Sequence, residues 1–133
     1  MGKNIIQTDA APAAIGPYSQ AVRAGDTLYI SGQIPLIPGE MTLIDGDICA
    51  QTDQVFKNLS AIADAAGGSL NDAVKINISL TDLANFDAVN AVMKEYLNEP
   101  YPARACVQVV ALPKAVDVEI EAILYLAEKY KGI

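Results

Sequence analysis

The chain contains no histidine. That absence removes the commonest general base and the commonest metal ligand together. Cys49 and Cys106 are the only thiols, and they form no paired-cysteine motif. Structural zinc, a His-dependent triad and a His-based ribonuclease are all excluded by counting. Two thiols far apart in sequence fit a reducing, cytoplasmic setting. Basic residues are also scarce: nine Lys and Arg face sixteen Asp and Glu, for a net charge of −7. So acidic a chain is a poor match for a polyanion, and no nucleic-acid partner is expected. The only basic clustering, Lys129 and Lys131, is weak. No apolar run approaches the roughly 18 residues of a membrane span, so no membrane partner is expected. Residues 1–7 lack the basic and apolar regions of a signal peptide. Repeats, low-complexity segments and linkers are absent as well.

What is present is one domain's worth of chain, residues 1–133. A domain of this size buries roughly two-thirds of its unfolded surface and needs no staple. Apolar residues make up 52% and charged residues 19%, a rich mixture for a small monomer. The excess fits a subunit interface.

Alternation and turn signals organise the rest. Residues 27–33 read as a strand, preceded through Gly25-Asp26 by a short strand at Val22 and Arg23. Residues 37–46 read as a loop. Asp47 then caps a helix whose apolar spacing ends at Gly67-Gly68. Residues 72–80 alternate, with Val74, Ile76, Ile78 and Leu80 on one face. Thr81 or Asp82 caps a second helix with the apolar stripe Phe86, Val89, Val92, Met93, Tyr96 and Leu97, which Pro100 stops. Residues 104–111 and 117–126 give two more strands. The order is β-β-α-β-α-β-β, an α/β (α+β) arrangement with one mixed sheet. Two helices can cover only one face of it. The other face is expected to carry Arg104, Cys106, Ile123 and Tyr125, too apolar for open water and too polar for a dry core.

The richest stretch for chemistry is Pro102-Ala103-Arg104-Ala105-Cys106-Val107. Alternation points Arg104 and Cys106 to the same face. A five-donor fork among short apolar groups suits a small carboxylate. The plainer alternative is a structural ion pair with Glu119 or Glu121, in the run Val118-Glu119-Ile120-Glu121. A simple hairpin between the last two strands would set Arg104 opposite a residue near 124, not opposite Glu119. Either those strands are not neighbours, or Arg104 and Glu119 meet across a subunit boundary. Glu119 or Glu121 can act as a general base or position a water, and both can equally be solvated outer-face residues. Cys106 reads either as a nucleophile whose pKa Arg104 would lower or as a small buried hydrophobe. Cys49, at a helix start, reads as packing or surface. Tyr18 can offer its hydroxyl to a pocket or simply pack. Ser31-Gly32-Gln33 closes a strand, and Gly32 permits close backbone approach. Asn90 is a mid-helix amide expected to be hydrogen-bonded.

Together these segments resemble one family. Ile15-Gly16-Pro17-Tyr18-Ser19-Gln20, Ser31-Gly32-Gln33-Ile34-Pro35 and Ala65-Ala66-Gly67 are similar to its N-terminal half. Pro102-Ala103-Arg104-Ala105-Cys106-Val107 and Val118-Glu119-Ile120-Glu121-Ala122-Ile123 are similar to its C-terminal signature. This is the RidA/YjgF reactive-intermediate deaminase family, also described as L-PSP endoribonucleases or translation inhibitors. The resemblance implies a chorismate-mutase-like fold and a homotrimer with clefts between subunits. It implies hydrolysis of 2-imino acids, formed from enamines such as 2-aminoacrylate and 2-aminocrotonate, to 2-keto acids and ammonia. Those enamines leak from pyridoxal-phosphate enzymes; the family protein itself needs no cofactor and no metal. Residue by residue, the resemblance makes Arg104 the carboxylate anchor and Glu119 the residue that positions or activates water. Cys106 becomes a site residue acting through sulfur or backbone. Tyr18, Ser31, Gly32 and Asn90 become pocket positions. Met93 and Leu97 stand where many members carry aromatics, a departure that concerns pocket shape. The rival readings are an endoribonuclease or translation inhibitor, and a non-enzymatic carboxylate-binding or chaperone protein. Light scattering should give a mass above that of one chain; a clean monomer counts against the interface.

Overall fold

The computed structural model describes residues 2–127, so Lys129 and Lys131 lie outside the described residues. Six strands and two helices follow in the order β1 (Lys3–Ile6), β2 (Ala21–Ala24), β3 (Thr27–Gln33), α1 (Ile48–Ala65), β4 (Ala73–Leu80), α2 (Phe86–Tyr96), β5 (Ala103–Gln108) and β6 (Val118–Tyr125). The expected β-β-α-β-α-β-β order therefore lacks one strand, β1. Its four residues are mostly exposed, so no burial alternation marks them in the sequence.

The strands form one mixed sheet in the order β1-β2-β3-β6-β4-β5. Every neighbouring pair is antiparallel except β4 and β5, which run parallel. A parallel pair needs a crossover, and α2 supplies it. Gly25, at φ +60°, makes the tight turn between β2 and β3. β6, last in the chain, docks between β3 and β4. Its Val118, Ile120, Ala122 and Leu124 are buried on the face that the helices cover.

Both helices owe their ends to side chains read in the sequence. Asp47 Oδ1 accepts from the Ala50 N–H at 2.9 Å, satisfying one of the open donors of α1. Gly67, at φ +84°, turns the chain out of it. Asp82, rather than Thr81, is the cap before α2, but it caps a single 3-10 turn, Leu83–Asn85, and α2 begins only at Phe86. The helix ends at Tyr96, ahead of Pro100, because Leu97 is already extended. Among the described residues no helix is long and apolar enough to cross a membrane.

Two strand expectations are corrected. Val74 is 48% exposed, because the pairing of β4 with β6 slips between Ala73 and Lys75. β5 stops at Gln108 instead of residue 111, after which Val110 is fully exposed.

A buried amide ties α1 to the chain beyond β3. Asn58 Nδ2 donates to the carbonyls of Ile34 and Leu36, and its oxygen accepts from Gln54 Nε2 at 2.9 Å. Losing it strands buried carbonyls with no donor, at about 1–3 kcal/mol. Asn58→Ala should lower the urea unfolding free energy by about that amount; an unchanged midpoint would show that the clamp contributes nothing.

Candidate functional site

β5 pairs with β4 so that Arg104 lies beside Ile76 and Cys106 beside Ile78. Paired residues share a face of a sheet, and both isoleucines are buried beneath the helices. Arg104 and Cys106 therefore share a face, as alternation requires, but it is the helix-covered face. The expectation that they join Ile123 and Tyr125 on the open face is overturned. Parity within β5 was legible; which parity meets the helices was decided by pairing with β4.

Arg104 is held from α2. Its Nη1 donates to Asn90 Oδ1, and its guanidinium carbon sits 4.9 Å from the Phe86 ring centroid. Phe86 and Asn90 are four residues apart, so one helix face presents both. Among the described residues no carboxylate pairs with Arg104, so an ion pair with Glu119 or Glu121 is not formed within the chain. Asn90, Met93, Lys94, Tyr101, Pro102 and Arg104 line a cleft of about 430 Å³. Cys106 packs against the core. Burial pushes its thiol pKa up, and the opposing pull of Arg104 is the smaller effect. The expected lowering by Arg104 is thus outweighed, and Cys106 stays a neutral thiol.

Glu119 occupies the other face. On β6 it pairs with Ser79, and Glu121 pairs with Asn77. The β3–β6 register slips between Ile30 and Gln33, a bulge at Ser31 and Gly32. The Glu119 carboxyl group lies so close to the Gly32 backbone that a Cβ there would be 2.9 Å from its Cδ. A side chain at this position would push the Glu119 carboxyl group out of its place. Tyr18, Ser31, Gly32 and Glu119 line a second cleft, of about 480 Å³. Ser31 Oγ donates to the Ser19 carbonyl at 2.6 Å, and the Ile15 N–H donates to Tyr18 Oη at 3.4 Å. Burial raises the Glu119 pKa, and the neighbouring charge of Glu121 adds to that. Glu121 instead accepts from Asn77 Nδ2.

The residues singled out in the sequence thus fall into two groups. Arg104, Cys106 and Asn90 stand on the helix side at the β5 edge. Tyr18, Ser31, Gly32 and Glu119 stand on the open side near the middle of the sheet. β5 and β6 are not neighbours: β4 lies between them, two strand spacings or about 10 Å in all. Sequence reasoning missed Gln20, which is buried and grips the cleft wall. Its Nε2 donates to the carbonyls of Thr8, Ala11 and Pro12, and its Oε1 accepts from the Thr8 N–H. No periodicity marks such a residue; only its position beside Tyr18-Ser19 hints at it. Among the described residues no three His, Cys, Asp or Glu side chains converge to hold a metal.

The sequence pattern of the family described as endoribonuclease L-PSP matches residues 8–126. The chain is 47% identical over 121 residues to a mouse protein named 2-iminobutanoate/2-iminopropanoate deaminase, covering 91% of this chain and 90% of that one. The crystal structure of RidA from an Antarctic Psychrobacter species superposes with a TM-score of 0.89 at 60% identity, covering 92% of this chain and 99% of that one. The structure of E. coli TdcF with bound serine gives a TM-score of 0.87 at 41% identity, covering 93% and 99%.

The raised Glu119 pKa has a consequence for stability. The folded chain binds that proton more tightly than the unfolded chain, where the carboxyl has its ordinary pKa. The resulting stabilisation is complete below the unfolded value and is lost as pH rises through the folded one. At neutral pH the ionised carboxylate is therefore a burden. Glu119→Gln should raise the urea midpoint at pH 7, with the gain shrinking as the pH falls through the raised folded pKa and gone below about pH 4. A gain independent of pH would assign it to something other than the buried charge.

Proposed function

The chain belongs to the endoribonuclease L-PSP (RidA/YjgF) family, and on that premise we propose that it hydrolyses 2-imino acids and their enamine tautomers to 2-keto acids and ammonia. The observation that carries this reading is Arg104. Its partners are a neutral amide and an aromatic ring, which leave its charge for a substrate carboxylate. The mouse relative's name, 2-iminobutanoate/2-iminopropanoate deaminase, supplies the substrate class: small 2-imino acids.

The chemistry asks little of the protein. A protonated imine is already electrophilic at carbon. The work is to orient its carboxylate, exclude competing nucleophiles and aim one water. Arg104 anchors the carboxylate, with Asn90 fixing the guanidinium. Glu119 takes a proton from the attacking water, giving a carbinolamine, and returns it to the departing amine. Ammonia leaves as the C–N bond breaks, the ketone forms, and the carbinolamine hydroxyl proton passes to Glu119. A carboxylate with a raised pKa suits a group that must both accept and donate. Tyr18, Ser31 and the Gly32 backbone hold polar groups around the imine. Cys106, a neutral thiol, serves as wall and backbone contact rather than as a nucleophile. No cofactor takes part in this scheme.

One chain cannot present Arg104 and Glu119 to the same small molecule, because they stand on opposite sides of the sheet. The complete site then forms where the β5 edge of one subunit meets the open face of the next, in a homotrimer. The half-exposed Tyr29, Val107 and Tyr125 on that open face fit burial against a neighbour. The family description favours one other reading, RNA cleavage. The net charge of −7 and the absence of histidine weigh against it.

Coupling the protein to a threonine or serine dehydratase and following keto-acid release tests these roles. Arg104→Ala should lower kcat/KM by about one to two orders of magnitude, the worth of a charge-assisted hydrogen bond pair. Cys106→Ala should be much milder. Mixed in equal amounts and assembled together, Arg104→Ala and Glu119→Gln subunits should recover up to about one quarter of the activity, since that share of shared clefts is intact. Full activity in Arg104→Ala would remove its role, and no recovery on mixing would return the site to a single chain. RNA cleavage by highly purified protein, lost in the same variants, would revive the ribonuclease.

A further inference from the structure

The cleft beside Arg104 differs in charge from the clefts around Tyr18 and Glu119. Each of those contains Asp9, Glu119 or Glu121. The Arg104 cleft contains no carboxylate and has a second cation, Lys94. Its two cations set it apart within a chain of net charge −7. Lys94 is exposed in the last turn of α2 and forms no ion pair among the described residues; the pairs present are Arg23–Asp26 and Lys57–Asp53. It stands four residues after Asn90, which holds the guanidinium, so its attachment point is about 6 Å further along the same helix face. Met93 and Pro102 provide apolar contact in the same cleft. A cation at a helix C-terminus has a simpler use, countering the helix dipole, and that use makes no distinction among substrates.

We propose that Lys94 makes this cleft selective for 2-imino acids whose side chain ends in a second acid group. Arg104 binds the carboxylate next to the imine carbon, and Lys94 binds the distal acid. Because Asn90 holds the guanidinium, the one-turn step from Asn90 to Lys94 sets the scale of the cleft, and it is comparable with the reach of an extended five-carbon diacid. Met93 and Pro102 contact the methylenes between. This rests on the imine hydrolysis proposed above and changes only its substrate preference: water still adds to the C=N carbon, ammonia still leaves, and the distal acid is unaltered.

The test compares two imines generated in situ by a flavin-dependent amino-acid oxidase, one from glutamate and one from 2-aminobutyrate, and follows imine loss. Lys94→Gln should raise KM for the diacid imine about three- to fivefold, the worth of an exposed ion pair. Lys94→Glu should raise it further. Both should leave kcat, and all constants for the monoacid imine, within about twofold by the same scale. Calorimetry should show the same loss for 2-oxoglutarate and not for 2-oxobutanoate, and added salt should erase the wild-type preference. Equal effects on both imines, or none, overturn the proposal. So does a drop in the urea midpoint with unchanged discrimination, which assigns Lys94 to the helix end. If the wild type hydrolyses the monoacid imine normally but Lys94→Gln changes nothing, only this inference fails. If it accelerates neither imine, the deaminase reading fails with it.

Discussion

The antiparallel docking of β6 between β3 and β4 governs everything around the two clefts. It closes the helix-covered face with Val118, Ile120, Ala122 and Leu124, and by alternation it lifts Glu119 and Glu121 onto the open face. On one side it meets β3 through the bulge at Ser31 and Gly32, which brings backbone without a side chain against the Glu119 carboxyl. On the other it occupies one edge of β4, so β5 must take the remaining edge. The parallel β4–β5 pairing demands a crossover, and the crossover helix carries Phe86 and Asn90 to Arg104. One strand insertion thus sets both halves of the proposed site.

The same geometry keeps two opposite charges apart. Had Arg104 and Glu119 met within the chain, each would have satisfied the other, and neither would have been free for a ligand. Instead Arg104 is steadied by a neutral amide and an aromatic face, and Glu119 is pushed by burial and by Glu121 toward its protonated form. The Glu119 arrangement holds a charge in readiness at a cost in stability, the pattern expected where function rather than folding sets the requirement. Buried amides support both arrangements. Asn58 ties the residues after β3 to α1, and Gln20 pins the segment before Tyr18.

Much of the fold was legible because period and punctuation are local. The alternation of residues 117–126, the helical spacing after Asp47 and the turn at Gly25 each lie within one element. β1 escaped because an exposed edge strand has no burial pattern to read. Val74 misled because a register slip changes which residues an alternating strand buries. Asn90 was legible as an amide in need of a partner, and Gly32 as a point of close approach. Their partners, Arg104 and Glu119, come from distant segments and were not.

The sequence by itself determined which residues share a face. Alternation joins Arg104 to Cys106 and Glu119 to Glu121, because the register runs unbroken through both pairs. The tertiary structure alone decided which face each pair takes. Period two sets relative orientation; absolute orientation comes from the neighbouring strand, here Ile76 and Ile78 beneath the helices for β5 and the same buried layer for β6. Because the two strands are separated by β4 and set in opposite parity to the core, Arg104 and Glu119 stand on opposite sides of one sheet.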